Sequence, residues 1–206
     1  MAELEDFPEI PAGKIALVVT SLEMRECPAI TDSPTAAAFA IRPIPRPDLA
    51  WYRDLFRCVG ADWLWFSRLA MADDDLAGII HDPGVAVFAL AFDGADEGLL
   101  ELDFRTAGQC EIGFFGVTPK LIGRGAGRAL MAHTLRTAWA RPIHRLWLHT
   151  CTADHPGAVP FYVRSGFTPY RRQIEVADDP RLSGVLPETV APHVPIIRAS
   201  VCTRPV

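Results

Sequence analysis

The stretch Gly116-Val-Thr-Pro-Lys-Leu-Ile-Gly-Arg-Gly-Ala-Gly-Arg-Ala-Leu130 decides the fold of this chain. The β-rich run CEIGFFGV (110–117) ends in a loop with alternate glycines at 123, 125 and 127, and an amphipathic helix predicted over 125–140 follows at once. Converging backbone N–H groups and the positive end of a helix dipole favour a pyrophosphate-sized anion here, with Arg124 and Arg128 as further donors. A plain tight turn with close helix packing is the alternative interpretation.

The spacing of these glycines argues against two common nucleotide sites. A G-x-x-x-x-G-K-[ST] phosphate loop is absent from the sequence, and Gly123, Gly125 and Gly127 do not have the gaps of the dinucleotide motif G-x-G-x-x-G. The strand before the loop is also the third of a predicted antiparallel meander, whereas a dinucleotide fold needs a parallel first strand. A nucleotide-binding protein of another fold is therefore disfavoured.

Composition limits the class of protein. The 206 residues are half hydrophobic and carry a net charge of −5, which excludes a mostly disordered chain and a general polyanion binder. No apolar run approaches the roughly 20 residues of a membrane span, and the acidic start MAELEDFPEIPAG does not resemble a secretory signal. Five cysteines without a C-x-x-C pair indicate reduced thiols. We therefore expect a cytoplasmic protein that binds neither nucleic acid nor membrane.

The order of predicted elements indicates a mixed α+β domain with a crossover helix. From residue 85 the pattern is β-β-β-α-β-α-β, preceded by a strand over 14–24, an extended piece over 36–44 and a helix from Asp48 to about Cys58. We expect a single domain (1–206) with core motifs at 85–176, an N-terminal extension at 1–46 and a wrapped or loose C-terminal arm at 177–206.

Two motifs together resemble the GNAT superfamily of acyl-CoA-dependent N-acetyltransferases. The first is V-x-P-x-x-x-G-x-G-x-G-x-x-L from Val117 to Leu130, and the second is D-x-P-x-A-x-x-F-Y-x-x-x-G-F from Asp154 to Phe167. They occur in the family's order, with a predicted strand between them, and the resemblance covers roughly 85–176. It implies a mostly antiparallel sheet whose fourth and fifth strands splay apart, flanked by helices in αβα layers.

The resemblance also implies a donor substrate, acetyl-CoA, and no metal. The pantetheine arm would pair with the end of the strand before the glycine loop, and the pyrophosphate would lie on the loop itself. The implied cofactor-binding residues are Phe115, Gly116, Val117, Arg124, Gly125, Ala126, Gly127, Arg128 and His155. Two positions depart from the family pattern: Ile122 stands where Gln or Arg is usual, and His155 stands where Asn is frequent.

For the chemistry, the resemblance assigns Tyr162 as the general acid that protonates the leaving thiolate. Glu111 is the first choice for the base, because it lies six residues before Val117, the offset used by the histone-acetylating branch of the family. Glu101, His149 and a chain of waters are the alternatives. A core tyrosine and a salt-bridged glutamate are the corresponding structural interpretations of Tyr162 and Glu111.

Strand alternation makes a further prediction about Glu111. It places Glu111, Gly113 and Phe115 on one face of their strand, opposite Cys110, Ile112 and Phe114. Gly113 and Gly116 suit a bulge or the close approach of a backbone.

The acceptor side is least determined by sequence. Aromatic residues concentrated in 51–66 either line an acceptor pocket or form core, and core is favoured. We expect direct transfer of an acetyl group to a primary amine on a small molecule or peptide, and leave a homodimer open. The alternative function is a non-catalytic acyl-CoA sensor or interaction module with the same fold.

Overall fold

The computed structural model describes residues 7–30 and 36–199, which form one seven-stranded sheet with helices on both faces. The elements are β1 (Lys14–Met24), β2 (Ala40–Pro43), α1 (Leu49–Gly60), α2 (Ser67–Ala70), α3 (Asp73–Ile80), β3 (Val85–Phe92), β4 (Ala95–Asp103), β5 (Gln109–Val117), α4 (Ala126–Trp139), β6 (Arg145–Cys151), α5 (Ala158–Arg164) and β7 (Thr168–Asp178). The strand order is β2-β3-β4-β5-β6-β1-β7, and β5–β6 is the parallel pair in an otherwise antiparallel sheet. The mixed α+β fold expected from the sequence is confirmed.

The first strand lies inside the sheet. β1 pairs antiparallel with β6 on one side and with β7 on the other, in registers that include Val19↔Cys151 and Lys14↔Asp178. Its alternate residues Ile15 and Leu17 are buried, because they face the core while their neighbours face outward. The N-terminal segment thus separates β6 from β7, a position that the sequence analysis did not assign to it.

Two apolar cores cover the two faces of the sheet. On the first face, here called the α4 face, Leu130 of α4 and Tyr162 of α5 pack against strand residues such as Leu100 and Leu146. On the second, here called the α1 face, helices α1 and α3 pack Phe56 and Leu76 among other residues onto β3 and β4. Helix α1 begins after Asp48, whose side chain accepts a hydrogen bond from the Trp51 N–H at 3.0 Å.

The chain after β7 folds back onto the α1 face of β1. Leu186 and Ala191 pack there with Ile15 and Leu17 and with Leu64, which follows α1. A buried ion pair fixes the turn: Arg181 donates to Asp179 at 2.7 Å, and their side chains are 1% and 2% exposed. The C-terminal arm is therefore wrapped onto the sheet as far as the structure describes it.

The resemblance implied that the fourth and fifth strands of the family's sheet splay apart. These strands are β5 and β6 in this chain, and they do separate. β5 and β6 pair at only three positions, the last of them Glu111↔Trp147, and then diverge. The V-shaped gap that they leave opens toward the loop before α4 and the N-terminus of α5.

Candidate active site

A cleft of about 940 Å³ occupies the gap between β5 and β6. Its walls come from both strands, from the loop before α4, from α5, and from residues 63–67 after α1. The charges that line it are segregated. Arg128 and Arg164 lie on α4 and α5, whereas Glu175 lies on β7 and Asp154 just after β6. The end of the cleft that α4 and α5 border is therefore its basic end.

The basic end has the features of an anion site. Gly123 and Gly125 have φ angles of +78° and +89°, which only glycine adopts without strain, and they turn the chain so that α4 starts at Ala126. Among the described residues, no side chain caps this helix N-terminus, and the guanidinium groups of Arg124 and Arg128 have no hydrogen-bond or ion-pair partner. Exposed backbone donors and unpaired guanidinium groups can hold a phosphate here.

Not every residue implied by the resemblance lines the cleft at this end. Gly125, Gly127 and Arg128 do, whereas Arg124 is exposed outside the lining and Ala126 is fully buried in the core of the α4 face. Ile122, which replaces the usual Gln or Arg, is 42% exposed and lines the cleft with an apolar side chain.

A bulge in β5 changes the faces of its side chains. Glu101 of β4 pairs with Phe114 and Leu102 pairs with Ile112, so Gly113 is an extra residue without a partner. Phe114 consequently packs against Phe56 on the α1 face, with ring centroids 4.7 Å apart. Strict alternation predicted that Phe115 shares a face of the strand with Glu111 and that Phe114 lies on the opposite face. This prediction is wrong.

Phe115 lies on the α4 face, next to the general-acid candidate. Its ring centroid is 6.0 Å from that of Tyr162 and 5.7 Å from that of Phe161. The segment Phe115, Gly116 and Val117 lines the cleft, as the resemblance implied. Its backbone forms the β5 wall of the V.

Trp65 crosses the gap on the α1 face. Its indole N–H donates to Asp154 Oδ1 at 3.1 Å, and its ring lies over Gly116, where an added Cβ would be 3.1 Å from Trp65 Cη2. A Cβ at Gly60 would lie 2.3 Å from the same ring. Two glycines thus make room for an indole that joins β5 to the β6–α5 turn.

Asp154 organises that turn. Besides Trp65, it accepts hydrogen bonds from the Thr150 hydroxyl at 2.6 Å and from the Cys151 N–H at 2.9 Å, both through Oδ2. Burial and the nearby Asp154 carboxylate raise the pKa of Cys151 to about 11, so its thiol is neutral. The sequence analysis placed Asp154 in a family motif and Trp65 in an aromatic cluster, without a signal that they touch.

Tyr162 lines the cleft and is 8% exposed. Burial, and secondarily the charge of Asp154, raise the pKa of its hydroxyl above the ordinary value of 10.0. The phenol therefore stays protonated at neutral pH. It can donate a proton or a hydrogen bond but cannot serve as a base.

The structure brings Glu111 and His149 together. Glu111 Oε1 lies 3.6 Å from His149 Nδ1, within reach of an ion pair and just beyond a hydrogen bond. The attraction of Glu111, opposed by burial and assisted by Asp154 and Glu175, raises the pKa of His149 above 6.5. His149 lines the cleft, whereas Glu111 lines a separate polar cavity of about 350 Å³. The imidazole thus stands between Glu111 and the cleft.

Glu101, another alternative for the base, is held in a buried hydrogen-bond network outside the cleft. It is 1% exposed and accepts hydrogen bonds from the Tyr52 hydroxyl at 2.5 Å and from Arg68 at 2.6 Å. Burial, followed by the charge of Glu101, raises the pKa of Tyr52 well above 10.0. This buried network ties α1 and α2 to β4.

His155 is oriented by its own turn. Its Nδ1 accepts the Gly157 N–H at 2.9 Å, and its ring packs edge-on against Trp63 at 5.2 Å. In the neutral imidazole the proton is therefore on Nε2, which is left to donate. His155 is one of the residues that line the cleft.

The aromatic residues of 51–66 divide between the two roles considered for them. Tyr52 and Phe56 are fully buried core residues, whereas Trp63, Trp65 and Phe66 line the cleft.

The chain belongs to the GNAT acetyltransferase family, whose model, described as "Acetyltransferase (GNAT) family", matches residues 35–167. No curated protein matches the chain in sequence.

Solved structures share its fold at low sequence identity. A conserved protein of unknown function from Staphylococcus epidermidis is 15% identical with a TM-score of 0.55, and the match covers 81% of this chain and 63% of that one. A GCN5-related N-acetyltransferase from Sphaerobacter thermophilus is 17% identical with a TM-score of 0.55 over 82% and 53%. An aminoglycoside acetyltransferase from an uncultured soil metagenomic sample is 16% identical with a TM-score of 0.52 over 64% and 90%. This chain therefore spans less than two thirds of the length of the first two.

In the described part of the chain, none of the helices combines the length and the apolar character of a membrane span.

Proposed function

We propose that this protein transfers an acetyl group from acetyl-CoA to the primary amine of a small molecule or peptide. The observation that carries the proposal is the cleft in the β5–β6 gap, where the described residues leave the α4 N-terminus uncapped and the guanidinium of Arg128 unpaired, and which Tyr162 and His149 also line. The free thiols of the four described cysteines are consistent with a reducing compartment such as the cytoplasm.

The fit to coenzyme A follows from chemistry along the cleft. The α4 N-terminus with Arg128 would hold the pyrophosphate, and Nε2 of His155 would donate a hydrogen bond to it. Backbone groups of Phe115, Gly116 and Val117 border the narrow apolar gap that suits a pantetheine arm.

Different side chains carry out the two proton transfers of the reaction. The amine nitrogen attacks the thioester carbonyl, a C–N bond forms and the C–S bond breaks. We assign His149 to accept the amine proton, because it lines the cleft and Glu111 does not; Glu111 orients the ring and stabilises its charged form. Tyr162, held neutral by burial, donates a proton to the departing thiolate.

Calorimetry with coenzyme A, NAD and ATP tests the donor site. We expect micromolar affinity for coenzyme A and much weaker binding of the other two. Gly125→Glu should weaken coenzyme A binding by more than about 100-fold, because a negative charge near phosphates costs several kcal/mol in a partly desolvated site. Gly94→Glu is the matched control: Gly94 also has a positive φ, of +79°, but lies in the β3–β4 turn. Equal or tighter ATP binding contradicts the proposal.

Turnover is tested by thiol release from acetyl-CoA with pools of amines. Thiol release that depends on an amine supports the enzyme. Coenzyme A binding without turnover on any pool would favour the non-catalytic sensor.

A further inference from the structure

The α1-face half of the cleft has an apolar wall. Its side chains include Leu17 from β1, Leu64 and Phe66 after α1, and Phe114 from β5. Leu17 and Leu64 rest on the wrapped C-terminal arm, which keeps this wall in place. A ligand that buries an aliphatic or aromatic body gains free energy here from the hydrophobic effect.

One carboxylate in this half of the cleft is uncommitted. Asp154 already accepts three hydrogen bonds, from Trp65, Thr150 and Cys151. Glu175 also lines the cleft, and among the described residues it has no hydrogen-bond or ion-pair partner. It lies opposite Leu17 in the β1–β7 register, so the charge adjoins the apolar wall.

Glu175 lines the same cleft as the proposed base, on the same face of the sheet. Its partner on β1, Leu17, lies four residues before Ser21, the β1 partner of His149. The two arginines that line the cleft, Arg128 and Arg164, lie on the helices of the other side and do not compete for it. An ammonium group drawn to Glu175 would therefore enter the cleft that His149 also lines.

We propose that the acceptor is an amine with a single positive charge and an apolar body, and that Glu175 is the residue that selects the charge. The inference rests on the proposed function and names its substrate class. Polyamines and aminoglycosides carry several cations and few apolar groups, and the residues that the structure describes offer this cleft one carboxylate without a partner, which matches neither.

The experiment measures amine binding by calorimetry on wild-type protein saturated with coenzyme A. The probes are 2-phenylethylamine, ethylamine, 2-phenylethanol and spermidine. We expect 2-phenylethylamine to bind about 10- to 100-fold more tightly than ethylamine, from burial of the ring, and more tightly than the uncharged alcohol by a similar factor. Spermidine should bind more weakly than 2-phenylethylamine.

Two variants locate the contacts. Glu175→Gln should weaken 2-phenylethylamine about 10- to 100-fold and leave 2-phenylethanol unchanged, whereas Glu26→Gln, at an exposed carboxylate outside the cleft, should change neither. Phe66→Ala should weaken 2-phenylethylamine and not ethylamine; thermal melts establish that each variant is folded.

The outcomes separate the two proposals. Failure of coenzyme A to bind removes the proposed function and this inference with it. If coenzyme A binds, a preference for ethylamine or spermidine, or an unchanged affinity in Glu175→Gln, overturns the inference and leaves the donor site standing.

Discussion

Replacing Gly116 with alanine should destabilise the protein and distort the cleft. The new Cβ would lie 2.5 Å from Val59 Cγ1 and 3.1 Å from the ring of Trp65, where carbon atoms in contact need about 3.5–4.0 Å. Val59 is 2% exposed, and its β-branched side chain is stiff about χ1, so it can move aside only at a cost. Overpacking of this kind costs about 1–3 kcal/mol, and the stiffer alanine in the unfolded chain returns about 0.4–1 kcal/mol.

We therefore expect a net loss of about 1–2 kcal/mol in the free energy of unfolding, equivalent to a fall in Tm of about 2–8 °C for a chain of this size. Urea unfolding measures it, with Gly78→Ala as the control. Gly78 lies in helix α3, and a Cβ there meets nothing within 4 Å, so that variant should gain about 0.5–1 kcal/mol.

A double-mutant cycle with Val59→Ala tests the cause. Shortening Val59 removes the closest contact, so the two substitutions should couple favourably by about 0.5–3 kcal/mol. A Gly116→Ala variant as stable as wild type, or a coupling energy near zero, would refute the steric reasoning.

Three further outcomes are expected. Tyr162→Phe should lower kcat by about 100-fold with coenzyme A affinity nearly unchanged, as calorimetry and steady-state rates would show, and a retained kcat would assign the proton to another group. Wild-type kcat/KM should rise with pH through an apparent pKa above 6.5, because His149 must be neutral to act and Glu111 raises its pKa. In Glu111→Gln this rise should move to lower pH. His149→Gln should lower kcat/KM by about 10²- to 10⁴-fold. A loss of that size in Glu111→Gln with little effect of His149→Gln would return the role of base to Glu111. Arg181→Ala should lower the free energy of unfolding by about 3–5 kcal/mol, because it leaves Asp179 buried and unpaired. Arg181 lowers the pKa of Asp179 below 3.8, so the stabilisation by the pair is present above that pH and is lost as the pH falls below it. Acid unfolding of the variant should lack this component.

The sequence predicted the elements that are local. The glycine loop and α4 follow from residues adjacent in the chain, and the Asp93-Gly94 turn between β3 and β4 has the positive φ angles, +49° and +79°, that this dipeptide favours. The order of strands and helices after residue 85 could be predicted from the periodicity of apolar residues and from turn residues of this kind.

Long-range features could not be predicted in the same way. The bulge at Gly113 depends on the pairing of β5 with β4, and it reversed the expected faces of Phe114 and Phe115. The contact of Trp65 with Asp154 joins residues 89 positions apart, and neither residue type predicts a contact with the other. Helix α5 begins at Ala158, four residues after Asp154, whose side chain accepts a hydrogen bond from the end of β6.

The position of β1 has a consequence for synthesis. The hydrogen-bond partners of residues 14–24 are β6 and β7, and Lys14 pairs with Asp178, 164 residues later. On the ribosome this strand must wait, with Ile15 and Leu17 unprotected, until nearly all of the described chain has emerged. Contacts this distant in sequence slow folding and prolong the exposure of unpaired strands. Until β7 emerges, the nascent chain presents an open strand edge to which chaperones could bind.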